Sequence, residues 1–247
     1  MKTICYLSGG YPSLEESYEM AKLYAEGGCD AIEWSLPAKH PYLEMDYIAE
    51  KMAAARAQCS DYAHYLVDIA RFKREYPHME VYLLLYQECV FDIGVEGLAQ
   101  FCTENGINTI ITADFNEPAA TARLAQSGVY VAPFVSFQMK PQMVAEALKS
   151  QTFVYMQAMP YANERTPDFD WDTLKNCIAE LRRQGLRCPV YCGGGIRSPE
   201  EVAFIRASGG DGFFIGSSVM QYYGQPQKLL ETLRAYKEAA QKASGCA

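Results

Sequence analysis

The stretch "CPVYCGGGIRSPEEV" spans residues 188–202, and "DGFFIGSSVM" follows at 211–220. Each reads as a short apolar strand, then glycines, then a helix start. Glycines let backbone N–H groups come close to an anion, and the helix start behind them adds unpaired donors and the positive end of a dipole. Taken singly, either turn is equally well a tight connection with a capped helix, Ser198 and Ser217 being the caps. Two in succession, at the end of a long alternation of strands and helices, point to one phosphate held between them. Gly193, Gly194 and Gly195 offer one set of donors, and Gly216, Ser217 and Ser218 the other. Arg197 beside them is either added positive charge or a solvated helix-start residue.

Upstream, apolar runs predict strands at 3–8, 30–37, 80–86, 107–114, 129–136 and 152–159, followed by those at 188–192 and 211–215. Amphipathic segments fill the gaps. Helices are expected at 13–28, in two pieces broken near Cys59 and Ser60, and at 93–105, 117–128, 140–149, 170–184 and 198–208. A terminal helical region runs from Ser217 to about Lys242. Ser13 followed by Glu16 has the spacing of a capping box, and Pro118 suits a first helical turn. The strands are continuously apolar rather than alternating, as in a parallel sheet covered by helices. Eight βα units in 247 residues predict a (β/α)8 TIM barrel forming a single domain over 1–247. A doubly wound open sheet is the runner-up, but "LSGGYP" after the first strand lacks the G-x-G-x-x-G spacing such a fold uses.

The formal net charge of −8 argues against nucleic acid as a partner, because phosphate backbones select basic surfaces. Nine cysteines form no C-x-x-C pair, and His40, His64 and His78 show no metal-ligand spacing with them. Buried free thiols in a reducing cytoplasm, with no metal and no cofactor, are the expectation. The N-terminal apolar run is too short for a signal peptide, and no run reaches membrane-spanning length.

In a barrel of this kind the loops after the strands build the active site. Glu33 lies inside "DAIEWSLP", where a charge is costly without a purpose or a partner. Alternation sets Ile32 and Trp34 on one face and Glu33 on the other, turned into the barrel, where burial would raise its pKa and suit it to acid–base work. A buried structural ion pair is the plainer use of such a residue. Asp114 ends the fourth strand at the same mouth. Glu44 and Asp46 follow the second strand, as catalytic groups or as ordinary loop and first-turn acids.

With these residues in place, the chain resembles the tryptophan synthase alpha subunit family along almost its whole length. "YLSGGYPSLEESYEMAKLYAEGGCDAIEWSLP" is similar to the family's first βαβ unit, "YLLLYQECVFDIGVEGL" to its third strand and loop, and "GINTIITAD" to its fourth strand. "GGGIRSPEEV" and "DGFFIGSSVM" resemble its two phosphate-holding turns. The resemblance implies a (β/α)8 lyase that cleaves indole-3-glycerol phosphate to indole and glyceraldehyde 3-phosphate. It makes Glu33 the acid that protonates C3 of the indole, Glu44 the counterpart of the Asp that binds the indole N–H, and Tyr155 a tyrosine near the catalytic Glu. Gly195, Gly216 and Ser217 become phosphate ligands, and Tyr6, Leu84 and Gly194 line the indole pocket; beside these, Gly193 is read as a further phosphate ligand and Tyr86 and Asp114 as further substrate contacts. A pyridoxal-phosphate-dependent tryptophan synthase beta subunit is the implied partner. Two stretches depart from the family: "QAMPYANERTPDFDW" replaces its G-V-T-G lid, and Glu88 stands where an Asn is usual. An isomerase or aldolase using Glu33 and Asp114 on another phosphorylated molecule is the second reading, and no strand carries a lysine placed for a Schiff base. A non-catalytic homologue regulating a partner is the third.

Overall fold

The computed structural model describes residues 1–41, 46–112, 115–160 and 171–245. They form two compact units, one of Tyr6–Glu26 with Ala31–Val131, the other of Met1–Cys5, Gly27–Asp30 and Ala132–Ala247.

The first unit takes the end of β1 (Lys2–Ser8), α1 (Leu14–Glu26), β2 (Ala31–Ser35), α2 (Asp46–Gln58), α3 (Tyr62–Glu75) and β3 (Glu80–Leu85). It continues with α4 (Gln87–Ile93), α5 (Val95–Glu104), β4 (Thr109–Thr112), α6 (Pro118–Gln126) and β5 (Tyr130–Val131). Its strands run parallel in the order β5-β4-β3-β2. Local chemistry sets the helix ends. Glu16 donates its N–H to Ser13 Oγ at 3.2 Å while Ser13 donates back to the Glu16 carboxylate at 2.8 Å, which is the expected capping box. Asp61 caps α3 by accepting from the Ala63 N–H at 2.9 Å. The helix expected over 93–105 is α5, and α4 precedes it across Gly94. The sequence reading missed α4 because its seven residues are too few to show a helical period.

The second unit holds Lys2–Cys5 of β1, β6 (Phe134–Val135), α7 (Pro141–Ala147), β7 (Val154–Gln157), α8 (Trp171–Arg183) and β8 (Val190–Gly193). It ends with α9 (Glu201–Ala207), β9 (Gly212–Ile215), α10 (Ser217–Met220) and α11 (Pro226–Gly245). The parallel order is β1-β9-β8-β7-β6. Asp30 anchors the start of this order, accepting from the Thr3 N–H at 2.8 Å and pairing with Lys237 of α11.

The strand expected over 129–136 is two: β5 pairs with β4, and β6 pairs with β7. Proline has no N–H to give to a ladder, so Pro133 breaks the run; its carbonyl still accepts from Tyr155 N–H at 2.9 Å. The terminal helical region likewise divides into α10 and α11.

Candidate active site

Glu33 is the middle residue of β2, a strand buried along its whole length. Trp34 packs its ring on Phe72 of α3, centroids 5.6 Å apart, and it is 1% exposed. Burial of a side chain of that size stabilises by roughly 1.5–3 kcal/mol, enough to fix which face of β2 meets the helix. Alternation therefore turns Glu33 to the face opposite α3, where it is 5% exposed. Register puts Tyr82 of β3 beside Glu33 and Leu84 beside Ser35, and Ile111 of β4 beside Leu84. The carboxyl thus shares its face with Ser35, an aromatic and two aliphatic side chains. Tyr82 donates its hydroxyl to Glu80 at 2.6 Å.

The other substrate-contact candidates of this unit are buried as well. Tyr6 lies on β1, and its carbonyl accepts from the Tyr24 hydroxyl at 3.0 Å. Tyr86 is the N-cap residue of α4, its carbonyl accepting from the N–H groups of Cys89 and Val90. Glu44 and Asp114 lie outside the described residues, as do positions 161–170 of the segment that replaces the lid.

In the second unit, the turn after β8 and the turn after β9 expose their donors. Gly194 and Gly195 hold φ of +84° and +87° and are exposed. Glycine at both positions lets the backbone take positive φ and come close to an anion. Among the described residues, no backbone carbonyl accepts from the N–H of Gly194 or Gly195. Gly216 is the N-cap of α10 and Ser217 its first residue, with an exposed side chain. The first N–H groups of a helix have no partner within it. Ser217 is thus the first helical residue rather than the cap.

Ser198 is not a cap either. The helix start lies three residues further on, and Glu201 folds back so that its carboxylate accepts from the N–H of Arg197 at 2.6 Å and of Ser198 at 3.2 Å. A built-in carboxylate therefore occupies those two donors, and the Gly194 and Gly195 amides stand apart from it.

Gly193 has a different task from its neighbours. It is the last residue of β8, and the ring of Tyr155 lies where its side chain would be, Cε1 being 2.7 Å from that point. Tyr155 is also held by Phe214, stacked at 4.3 Å and 22°. Phe134, Phe153 and Tyr191 extend this aromatic layer.

Gln157 of β7 was missed in the sequence. It is 1% exposed, accepts from the Phe137 N–H at 3.2 Å and donates to the Met159 carbonyl at 3.1 Å. It thereby ties the segment after β7 to the loop after β6. The signal was the one that picked out Glu33, a polar residue in an apolar strand.

The tryptophan synthase alpha chain family model matches residues 1–245. The chain belongs to that family. Among curated relatives, the tryptophan synthase alpha chain of Histophilus somni is 25% identical over 244 residues, covering 94% of this chain and 89% of that one. That of Escherichia coli O81 is 24% identical, covering 98% and 92%. The tryptophan synthase subunit alpha of Legionella pneumophila superposes with a TM-score of 0.85 at 19% identity, over 98% of this chain and 93% of that chain. Tryptophan synthase from M. tuberculosis gives 0.82 at 22%, over 97% and 91%. These likenesses assign the (β/α)8 barrel expected from the alternation, with β5 and β6 counted as one strand interrupted at Pro133. Members of the tryptophan synthase alpha chain family are lyases acting in tryptophan biosynthesis, cleaving indole-3-glycerol phosphate to indole and glyceraldehyde 3-phosphate.

Proposed function

We propose that this chain carries out its family's cleavage with Glu33 as the acid–base group. The single observation that carries this reading is the placement of a carboxyl, 5% exposed, on the face of β2 opposite α3 and among Tyr82, Leu84 and Ile111. A carboxyl held on a buried strand face is a group placed for general acid–base work on a substrate bound there.

The steps balance in protons and electrons. Glu33 gives its proton to C3 of the indole, which leaves the ring cationic. The C3–C3′ bond then breaks, and its electron pair neutralises the ring to give indole. The C3′ hydroxyl becomes the aldehyde of glyceraldehyde 3-phosphate, and its proton returns to the carboxylate. Glu44 receives the indole N–H. Gly195, Gly216 and Ser217 hold the phosphate, Ser217 also by its hydroxyl. Gly193 and Gly194 complete that turn, Gly194 leaving room for the indole, and Tyr155 orders the wall beside it. Tyr6, Leu84, Tyr86 and Asp114 border the rest of the substrate. The product indole is apolar, which favours handover to a pyridoxal-phosphate-dependent beta subunit, and we place the pair in the cytoplasm. Among the described residues no helix is long and apolar enough to cross a membrane.

The test is indole release from indole-3-glycerol phosphate by wild type and Glu33→Gln. Turnover that falls by about 10²–10⁴-fold in the variant supports the assignment. Undiminished turnover removes Glu33 from the mechanism. A wild type that binds glycerol phosphate yet releases no indole favours the non-catalytic homologue.

A further inference from the structure

The residues that follow Glu33 along the chain are gripped from three helices. Leu36 donates its N–H to the Leu84 carbonyl at 3.1 Å. The Pro37 carbonyl accepts from the Tyr62 hydroxyl of α3 at 3.0 Å and from Arg56 of α2 at 3.3 Å. Arg56 also donates to the Tyr62 oxygen at 3.0 Å, and Cys89 of α4 stands 3.2 Å from it. Glu88 of α4 completes the hold. One of its oxygens accepts from the N–H groups of both Lys39 and His40, and the other faces His40 Nδ1 at 3.2 Å. One helical turn on, Asp92 pairs with Lys39 Nζ at 2.6 Å.

This is an unusual use of a carboxylate. Two consecutive backbone N–H groups in a loop converge on one oxygen, so Glu88 supplies the acceptors that a strand partner would otherwise give. Glu88 and Asp92 are four residues apart and share one helix face. The grip is laid on the short stretch between Glu33 and Glu44, the two acids assigned above. Beyond Pro41 the chain has three residues to reach Glu44.

We propose that Glu88 is a positioning residue for the lyase reaction: by holding the Lys39 and His40 amides it sets where the chain leaves β2 and how Glu33 is presented. This rests on the lyase reading of the preceding section. Acid–base groups lose rate when displaced by a fraction of an ångström, so release of the grip shows in the chemical step more than in substrate binding.

The test compares wild type, Glu88→Ala, Glu88→Gln and Asp92→Asn in steady-state indole release. Amide hydrogen exchange is followed in the peptide containing Lys39 and His40. Glu88→Ala is expected to lower kcat about tenfold to a hundredfold with KM little changed, and to speed exchange at those two amides. Glu88→Gln keeps an acceptor oxygen, so it should recover much of kcat and of the protection. Asp92→Asn loosens Lys39 alone and should give a smaller loss, which serves if Glu88→Ala fails to fold. Unchanged kcat in Glu88→Ala, or unchanged exchange at Lys39 and His40, overturns the proposal. A wild type that releases no indole overturns the lyase reading and this catalytic role with it, whereas the exchange measurement still judges whether Glu88 holds the loop.

Discussion

The phenol of Tyr155 fills the space that a side chain on Gly193 would need, and Phe214 stacks on the same ring at 4.3 Å. A methyl group at position 193 therefore cannot enter without displacing the ring. Gly193→Ala should destabilise the protein by about 1–3 kcal/mol, the usual cost of overpacking. Chemical denaturation measures it. In a Tyr155→Ala background the added cost should nearly vanish, because the clashing ring is gone; equal costs in both backgrounds would show that the clash is not the cause.

Gly195 is expected to act on phosphate binding. Its φ of +87° is strained for any side chain, and a Cβ would meet Met159 at 2.8 Å. Gly195→Ala should move the amide off the anion and raise KM about tenfold or more, since a hydrogen bond to a charged group contributes about 1.5–3 kcal/mol. Inhibition by glycerol phosphate should weaken in parallel. A KM that stays put while kcat falls would place Gly195 in the chemistry instead.

The Glu88 grip has a pH signature. Burial pulls its carboxyl upward, but the hydrogen bonds from the His40 ring and from the Lys39 and His40 N–H groups outweigh burial, and the carboxyl is held below its ordinary value of 4.5. His40, Lys39, Asp92, Tyr62 and Cys89 are among the charged or titratable groups around it. A carboxyl depressed on folding stabilises above its unfolded pKa and loses that contribution as pH falls through the folded one. The stability difference between wild type and Glu88→Gln should accordingly be present at neutral pH and shrink as pH drops below about 4.5. A gap independent of pH would remove the charge from the account.

Thiol reactivity should sort by burial. Desolvation raises the Cys5 and Cys192 thiols well above their usual range and pushes Cys102 up to about 12. Cys59 and Cys188 are only half-buried. Since the thiolate is the reactive form, an alkylating reagent at neutral pH should label Cys59 and Cys188 long before the other three. Peptide mass mapping reads the order, and early labelling of Cys5, Cys102 or Cys192 would contradict the packing described.

Much of this protein was legible along the chain because its causes are local. Ser13 and Glu16 announce a helix start through neighbours three residues apart, and the strand period alone puts Glu33 and Trp34 on opposite faces. The continuous apolar runs, each followed by an amphipathic segment, specified the alternation and hence the barrel. Other features depend on atoms far apart in sequence. Pro133 divided the fifth strand, and only the pairing showed that its two halves serve β4 and β7 separately. Gly193 reads like its two neighbours, and only the ring of Tyr155, 38 residues earlier, gives it another purpose. Glu201 takes the N–H groups of Arg197 and Ser198, a pairing that the reading of Ser198 as a cap did not include. Glu88 reads as a first-turn helix acid until folding brings the N–H groups of Lys39 and His40 to it across 49 and 48 residues. Period and capping act through neighbours on the chain, so sequence determines them. Which unpaired donor meets which distant carboxylate depends on the packing of whole helices, and only the tertiary structure decides it.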